Sequence, residues 1–125
     1  MKNRELISLD QNDIKIVKVL NSLGMPKNIA KTILYISQVD ECRATDIELG
    51  ADLRQPEVSI AINDLMEKGW VSKREKKKRG KGRPVHIYKQ KTNLDDIFKS
   101  IEQEKLKDFK LIDSSLSELK TIISS

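Results

Sequence analysis

The sequence predicts a mainly α fold with one small β-hairpin and a long C-terminal helix. Three observations carry that expectation. Apolar residues recur at spacings of three and four through most of the chain. The period changes to two only over residues 70–75 and 84–89. From about residue 93 a helical pattern resumes and runs to the end. Aromatics make up 4% of the 125 residues and charged residues 34%, which fits a soluble helical protein and not a disordered one.

Each element has its own signals. Residues 1–9 are expected to be a flexible N-terminus, 10–91 a single domain and 92–125 a separate helix. Ser8 with Gln11, or Asp10 with Asp13, caps a helix starting near residue 10. Its stripe is Ile14, Ile16, Val17, Leu20 and Leu23, and Gly24 stops it. Pro26 suits the first turn of a second helix, with Ile29, Ala30, Ile33, Leu34 and Ile36 inward. A connector over 39–44 has room for a brief strand at 42–44. Thr45 with Glu48 forms a capping box for a short third helix, anchored by Ile47 and Leu49 and ended by Gly50. After a turn over 52–55, Pro56 opens a helix over 56–68 whose inner face is Val58, Ala61, Ile62, Leu65 and Met66. Gly69 ends it, and the two strands follow, joined by a tip containing Gly80 and Gly82.

Charge is concentrated in one place. Residues 73–91 hold ten Lys and Arg against the single acid Glu75, a net +9, while the other 106 residues carry 14 basic and 18 acidic groups, a net −4. A mildly acidic body with one intensely basic segment is the pattern of a polyanion binder.

A tight helical pair, a glycine and a basic two-stranded hairpin together make a winged helix-turn-helix. Its second helix fits the DNA major groove while the first braces it against the backbone. The core set of the fourth helix turns Gln55, Pro56, Glu57, Ser59, Ile60 and Asn63 outward, with Thr45 on the bracing helix. Gln and Asn pair with the adenine edge, Ser bonds several bases, and Ile60 suits a thymine methyl. In the wing, Lys73, Arg74, Lys76, Lys77, Lys78, Arg79 and Lys81 are expected on phosphates, and Arg83 in the minor groove. The core of the tip, Gly82-Arg83-Pro84, is similar to that of an AT-hook.

Asp46-Ile47, Val58, Leu65, Glu67-Lys68-Gly69 and Gly82-Arg83-Pro84 with Tyr88 resemble the pattern of winged-helix regulators of the MarR and TrmB-like kind. Leu23-Gly24-Met25 with Ala30 is similar to the TrmB opening. The resemblance covers about residues 14–90 and implies a cytoplasmic transcription factor of a prokaryote, bacterial or archaeal. The sugar-sensing domain that follows the wing in TrmB proteins is expected to be lacking, and Glu57 and Asp64 depart from what DNA favours on a recognition helix.

The C-terminal helix carries Leu94, Phe98 and Ile101, then Leu106, Phe109, Ile112, Leu116, Leu119 and Ile123 at spacings of three or four. That second set is read as a homodimerisation seam, with an irregularity at Lys105 where the pattern allows a kink or a change of partner face. The partners expected are therefore double-stranded DNA and a second copy of the chain; no membrane is expected, and an effector is undetermined.

Other classes lack support. The lone Cys42 reads as a small core residue, and the lone His86 cannot build a metal site. Trp70 reads as a strand-start anchor. No catalytic set or cofactor is expected. The alternative reading is a nucleic-acid binder without sequence preference, or a winged-helix protein–protein scaffold.

Overall fold

The computed structural model describes residues 8–76, 82 and 84–125. Its elements run in the order α1 (Gln11–Ser22), α2 (Lys27–Ser37), α3 (Ala44–Gly50), α4 (Gln55–Glu67), β1 (Val71–Lys76), β2 (Val85–Gln90) and α5 (Leu94–Ser124). Two compact units result, Met1–Asn93 and Leu94–Ser125.

The core of the first unit is built around α2. Ile29, Ala30, Thr32, Ile33, Leu34, Tyr35 and Ile36 are all buried, so this helix is covered on every side and not along one stripe. It packs against α1, α3, α4 and β2. Thr32 is tolerated there because its hydroxyl donates to the Asn28 carbonyl at 2.8 Å. Around it, α1 contributes Val17 and Leu20, α3 contributes Ile47, and α4 contributes Val58, Ala61, Ile62 and Leu65.

The stripe expected on α1 is only half realised. Ile14, Ile16 and Leu23 remain exposed, because two inward positions suffice to cover α2 from that side. Of the two caps the sequence allows, Asp10 with Asp13 is the one formed: each carboxylate accepts the other residue's backbone N–H at 2.9 Å. Gly24, with φ of 103°, takes the left-handed position that ends this helix.

The cap proposed at Thr45 is not the one adopted. α3 begins at Ala44, after Arg43, and Asp46 accepts the Arg43 N–H at 2.8 Å. The helix starts two residues earlier than a Thr45 cap implies; Ile47 is fully buried and Leu49, on the other side of the helix, is 84% exposed and not an anchor. The turn to α4 uses Asp52 at φ 54°, a conformation that the short polar Asp side chain accepts, and seats Leu53 in the core.

The strands lie one residue later than the alternation predicts and pair antiparallel, Val71 opposite Gln90 and Lys76 opposite Val85. The brief strand expected near residue 42 is a single bridge to β2. Cys42 and Tyr88 exchange backbone hydrogen bonds of 3.0 and 2.7 Å, with the Cys42 side chain fully buried. β2 thus lies between β1 and Cys42, and both Ile87 and Tyr88 are buried on it.

The second unit is α5 alone, 31 residues and about 46 Å long at 1.5 Å per residue. It continues as helix through Lys105 and Leu106. Within it Ile97 is the buried residue, where the sequence pattern singled out Leu94, Phe98 and Ile101; those three are half-buried.

Packing of this kind makes the cost of truncation position-dependent. Ile33→Ala should lose about 2–5 kcal/mol of stability in chemical denaturation. Leu49→Ala should stay within about 0.5 kcal/mol of the parent. Comparable losses would put Leu49 in the core after all.

Candidate nucleic-acid interface

The start of α4 is held by a carboxylate. Glu57 accepts the backbone N–H of Arg54 at 2.8 Å through one oxygen and the Asn28 amide at 3.2 Å through the other. The Arg54 hydrogen bond, followed by the Asn28 one, holds the Glu57 carboxyl below the usual carboxylate range. Asn28 belongs to the first turn of α2, so the buried hub sets where α4 begins. Both oxygens being engaged, Glu57 is a positioning residue in this geometry and not a free base reader. Asp64 is likewise tied down, ion-paired with Lys68 one turn later. Each of the two acids that set this helix apart from a DNA-friendly one thus has partners within the protein.

What remains outward on α4 ahead of Glu67 is polar or apolar but uncharged. Gln55, Pro56, Ser59 and Asn63 are exposed, and Ile60 is 69% exposed. These are the residues singled out on α4 from the sequence, Glu57 apart, and the structure brings them to one side of one helix. Thr45 is exposed near the start of α3. Two further exposed side chains escaped the sequence reading, Arg43 and Arg54, which begin α3 and α4. The signal for both was present: each is followed three residues later by an acid, Asp46 and Glu57, the far half of a capping box.

Lys73 and Lys76 are exposed on β1. Arg74 is exposed too, but its guanidinium holds both oxygens of Glu41 at 2.8 and 2.9 Å. That hydrogen bond and charge keep the Glu41 carboxyl below its ordinary range. It ties the wing strand to the connector after α2. Across the hairpin, His86 Nε2 lies 3.5 Å from Glu75. Trp70 is half-buried where β1 starts, with the Lys68 ammonium 5.5 Å from its ring centre. Lys77, Lys78, Arg79, Lys81 and Arg83 lie outside the described residues. Among the described residues no group of three His, Cys, Asp or Glu is placed to hold a metal ion. No helix among them is long and apolar enough to cross a membrane.

Two helices with a short turn, a buried third helix behind them and a two-stranded wing define a winged helix-turn-helix protein. Solved structures share that fold. A candidate transcriptional regulator from Methanosarcina mazei Go1 superposes with a TM-score of 0.64 at 17% identity, covering 84% of this chain and 87% of the other. TrmBL2, an archaeal chromatin protein described with a novel mode of DNA binding, superposes at 0.66 with 11% identity and 90% of this chain covered. The match takes in 41% of TrmBL2, so this chain spans about two fifths of that protein. A MarR-family transcription regulator superposes at 0.53 with 10% identity, covering 83% and 67% of the two chains. The likeness to MarR and TrmB-like proteins read from the sequence is therefore present in the fold. No protein-family model and no curated protein matches the sequence.

The Glu57 clamp has a pH signature. A carboxyl held below its unfolded value contributes stability that is complete above that unfolded value, about pH 4.3, and is lost as pH falls through the folded one. Glu57→Ala should therefore melt at lower temperature than the parent at pH 7, with the gap closing on acidification below about pH 4. A gap of equal size at pH 7 and pH 3 would remove the clamp's electrostatic role.

Proposed function

We propose that this protein is a cytoplasmic, homodimeric transcriptional regulator that binds double-stranded DNA with sequence preference. The observation that carries the reading is the outward side of α4. Uncharged hydrogen-bonding side chains stand on a helix whose Glu57 and Asp64 are engaged within the protein, directly ahead of a strongly cationic hairpin. In a winged helix-turn-helix that side enters the major groove, where Gln55, Ser59 and Asn63 meet base edges. Thr45, Lys73, Lys76 and the tip residues Lys77, Lys78, Arg79, Lys81 and Arg83 act on phosphates and the neighbouring minor groove, supplying affinity without sequence information. Arg43 and Arg54 add to the phosphate contacts.

The two contributions separate experimentally. Asn63→Ala and Gln55→Ala should each cost about 1–3 kcal/mol on a preferred duplex and much less on random sequence. Lys76, Lys77 and Lys78 changed together to Ala should weaken binding to every duplex and flatten the log affinity against log salt slope by roughly 2–3. Binding that never distinguishes sequences, with equal losses for Asn63→Ala on all duplexes, would establish the alternative of a general DNA coat. That alternative has one point in its favour, the likeness in fold to a chromatin protein.

Dimerisation is assigned to α5. Leu106, Phe109, Ile112, Leu116, Leu119 and Ile123 are 53–74% exposed, and from Phe109 on they alternate spacings of three and four, the heptad pattern of a two-helix seam. Leu111 and Ile122 widen the apolar side. A second copy of the same helix satisfies a self-complementary surface of this kind by two-fold symmetry. Sedimentation of the full chain should give a dimer at tens of micromolar, and Phe109→Glu with Leu116→Glu a folded monomer with weaker DNA binding. A parent that is monomeric at that concentration, or a double variant still dimeric, would remove the seam from the interface.

A further inference from the structure

The chemistry left exposed on α4 narrows what it reads. We infer that α4 recognises A·T pairs, with Ile60 packing on the C5-methyl group of thymine; this rests on the proposed placement of α4 in the major groove.

Guanine presents two acceptors in the major groove and is read by Arg or Lys. Between Gln55 and Glu67 the helix has neither. Cytosine presents an amino donor and is read by Asp or Glu. Of the acids here, Glu57 is spent on Arg54 and Asn28, and Asp64 on Lys68. Glu67 is the last residue of the helix, the end remote from the groove when the N-terminal turns enter. The remaining side chains match the other two patterns: the Gln55 and Asn63 amides fit the adenine N6 and N7 edge, and an aliphatic group fits the thymine methyl.

Ile60 stands where that methyl would be met. The inward set Val58, Ala61, Ile62 and Leu65 defines the buried side, and Ile60 lies almost opposite its centre. Asn63 follows three residues later and so is its neighbour on the helix surface. Their bases are then the same pair or adjacent pairs. A single exposed isoleucine is ordinary on a protein surface. Here it sits among adenine-reading amides, on a strip that holds no charged residue before Glu67.

The test uses the full-length protein and duplexes selected by it from a randomised library. The selected half-site should place consecutive A·T pairs under α4. Replacing each thymine in turn by uracil, which removes only the methyl, should identify a position that weakens binding about fourfold, the worth of one methyl-sized buried group. Ile60→Ala should weaken the thymine duplex at least as much and be indifferent to uracil at that position, with its stability unchanged. A G·C pair under α4, uracil tolerated at every position, or losses that multiply between Ile60→Ala and uracil would each overturn the inference. If Asn63→Ala still discriminates sequences in those cases, the groove placement of α4 survives. Selection of no preferred sequence would overturn both.

Discussion

Burial of α2 on all sides is the constraint from which the rest of the first unit follows. A helix with seven buried residues among its eleven must be enclosed by other elements. α1, α3, α4 and β2 supply that enclosure, each with only one to four inward apolar side chains. Small inward sets are what free the opposite sides of α3 and α4. Had α4 needed to bury a wider stripe, Ile60 and Asn63 could not both face outward.

The same hub carries an electrostatic arrangement outward to the site. α1, α3 and α4 each begin with an acid at the third helical position accepting the N–H of the residue before the helix, Asp13, Asp46 and Glu57 respectively. Negative charge there also complements the helix dipole. At α4 the second Glu57 oxygen takes the Asn28 amide, so one side chain both caps the helix and joins it to the hub. A group that would repel phosphate at the surface is thereby consumed by the fold. The Arg74–Glu41 pair works in the same spirit on the wing, removing one cation from the basic set while it connects β1 to the segment after α2.

The second unit has a different physical character. From Leu106 onward α5 is exposed along its length, apolar residues included. An isolated helix gains little from propensity alone and depends on burying an apolar side. The heptad spacing after Phe109, with Lys105, Asp108, Lys110, Asp113 and Glu118 around it, is what the proposed dimerisation through α5 rests on.

The order and type of the elements were legible in the sequence, because each is written in local terms: a period of 3.6 or 2, Gly24 and Gly69 at left-handed ends, Pro56 in a first turn, and a charge run on one hairpin. The outward residues of α4 were legible for the same reason, since Val58, Ile62 and Leu65 fix the opposite side. Pairings across the chain were not. Nothing local says that Asn28 meets Glu57 across 29 positions, that Arg74 meets Glu41, or that Cys42 bridges to Tyr88. Nor could the local pattern tell that α2 would be buried all round while Ile14, Ile16 and Leu49 stayed in water, for burial depends on how many neighbours a side chain meets. Periodicity states which residues of a helix stand together; only the tertiary structure decides which of those sides is covered, and so which acids remain free to act.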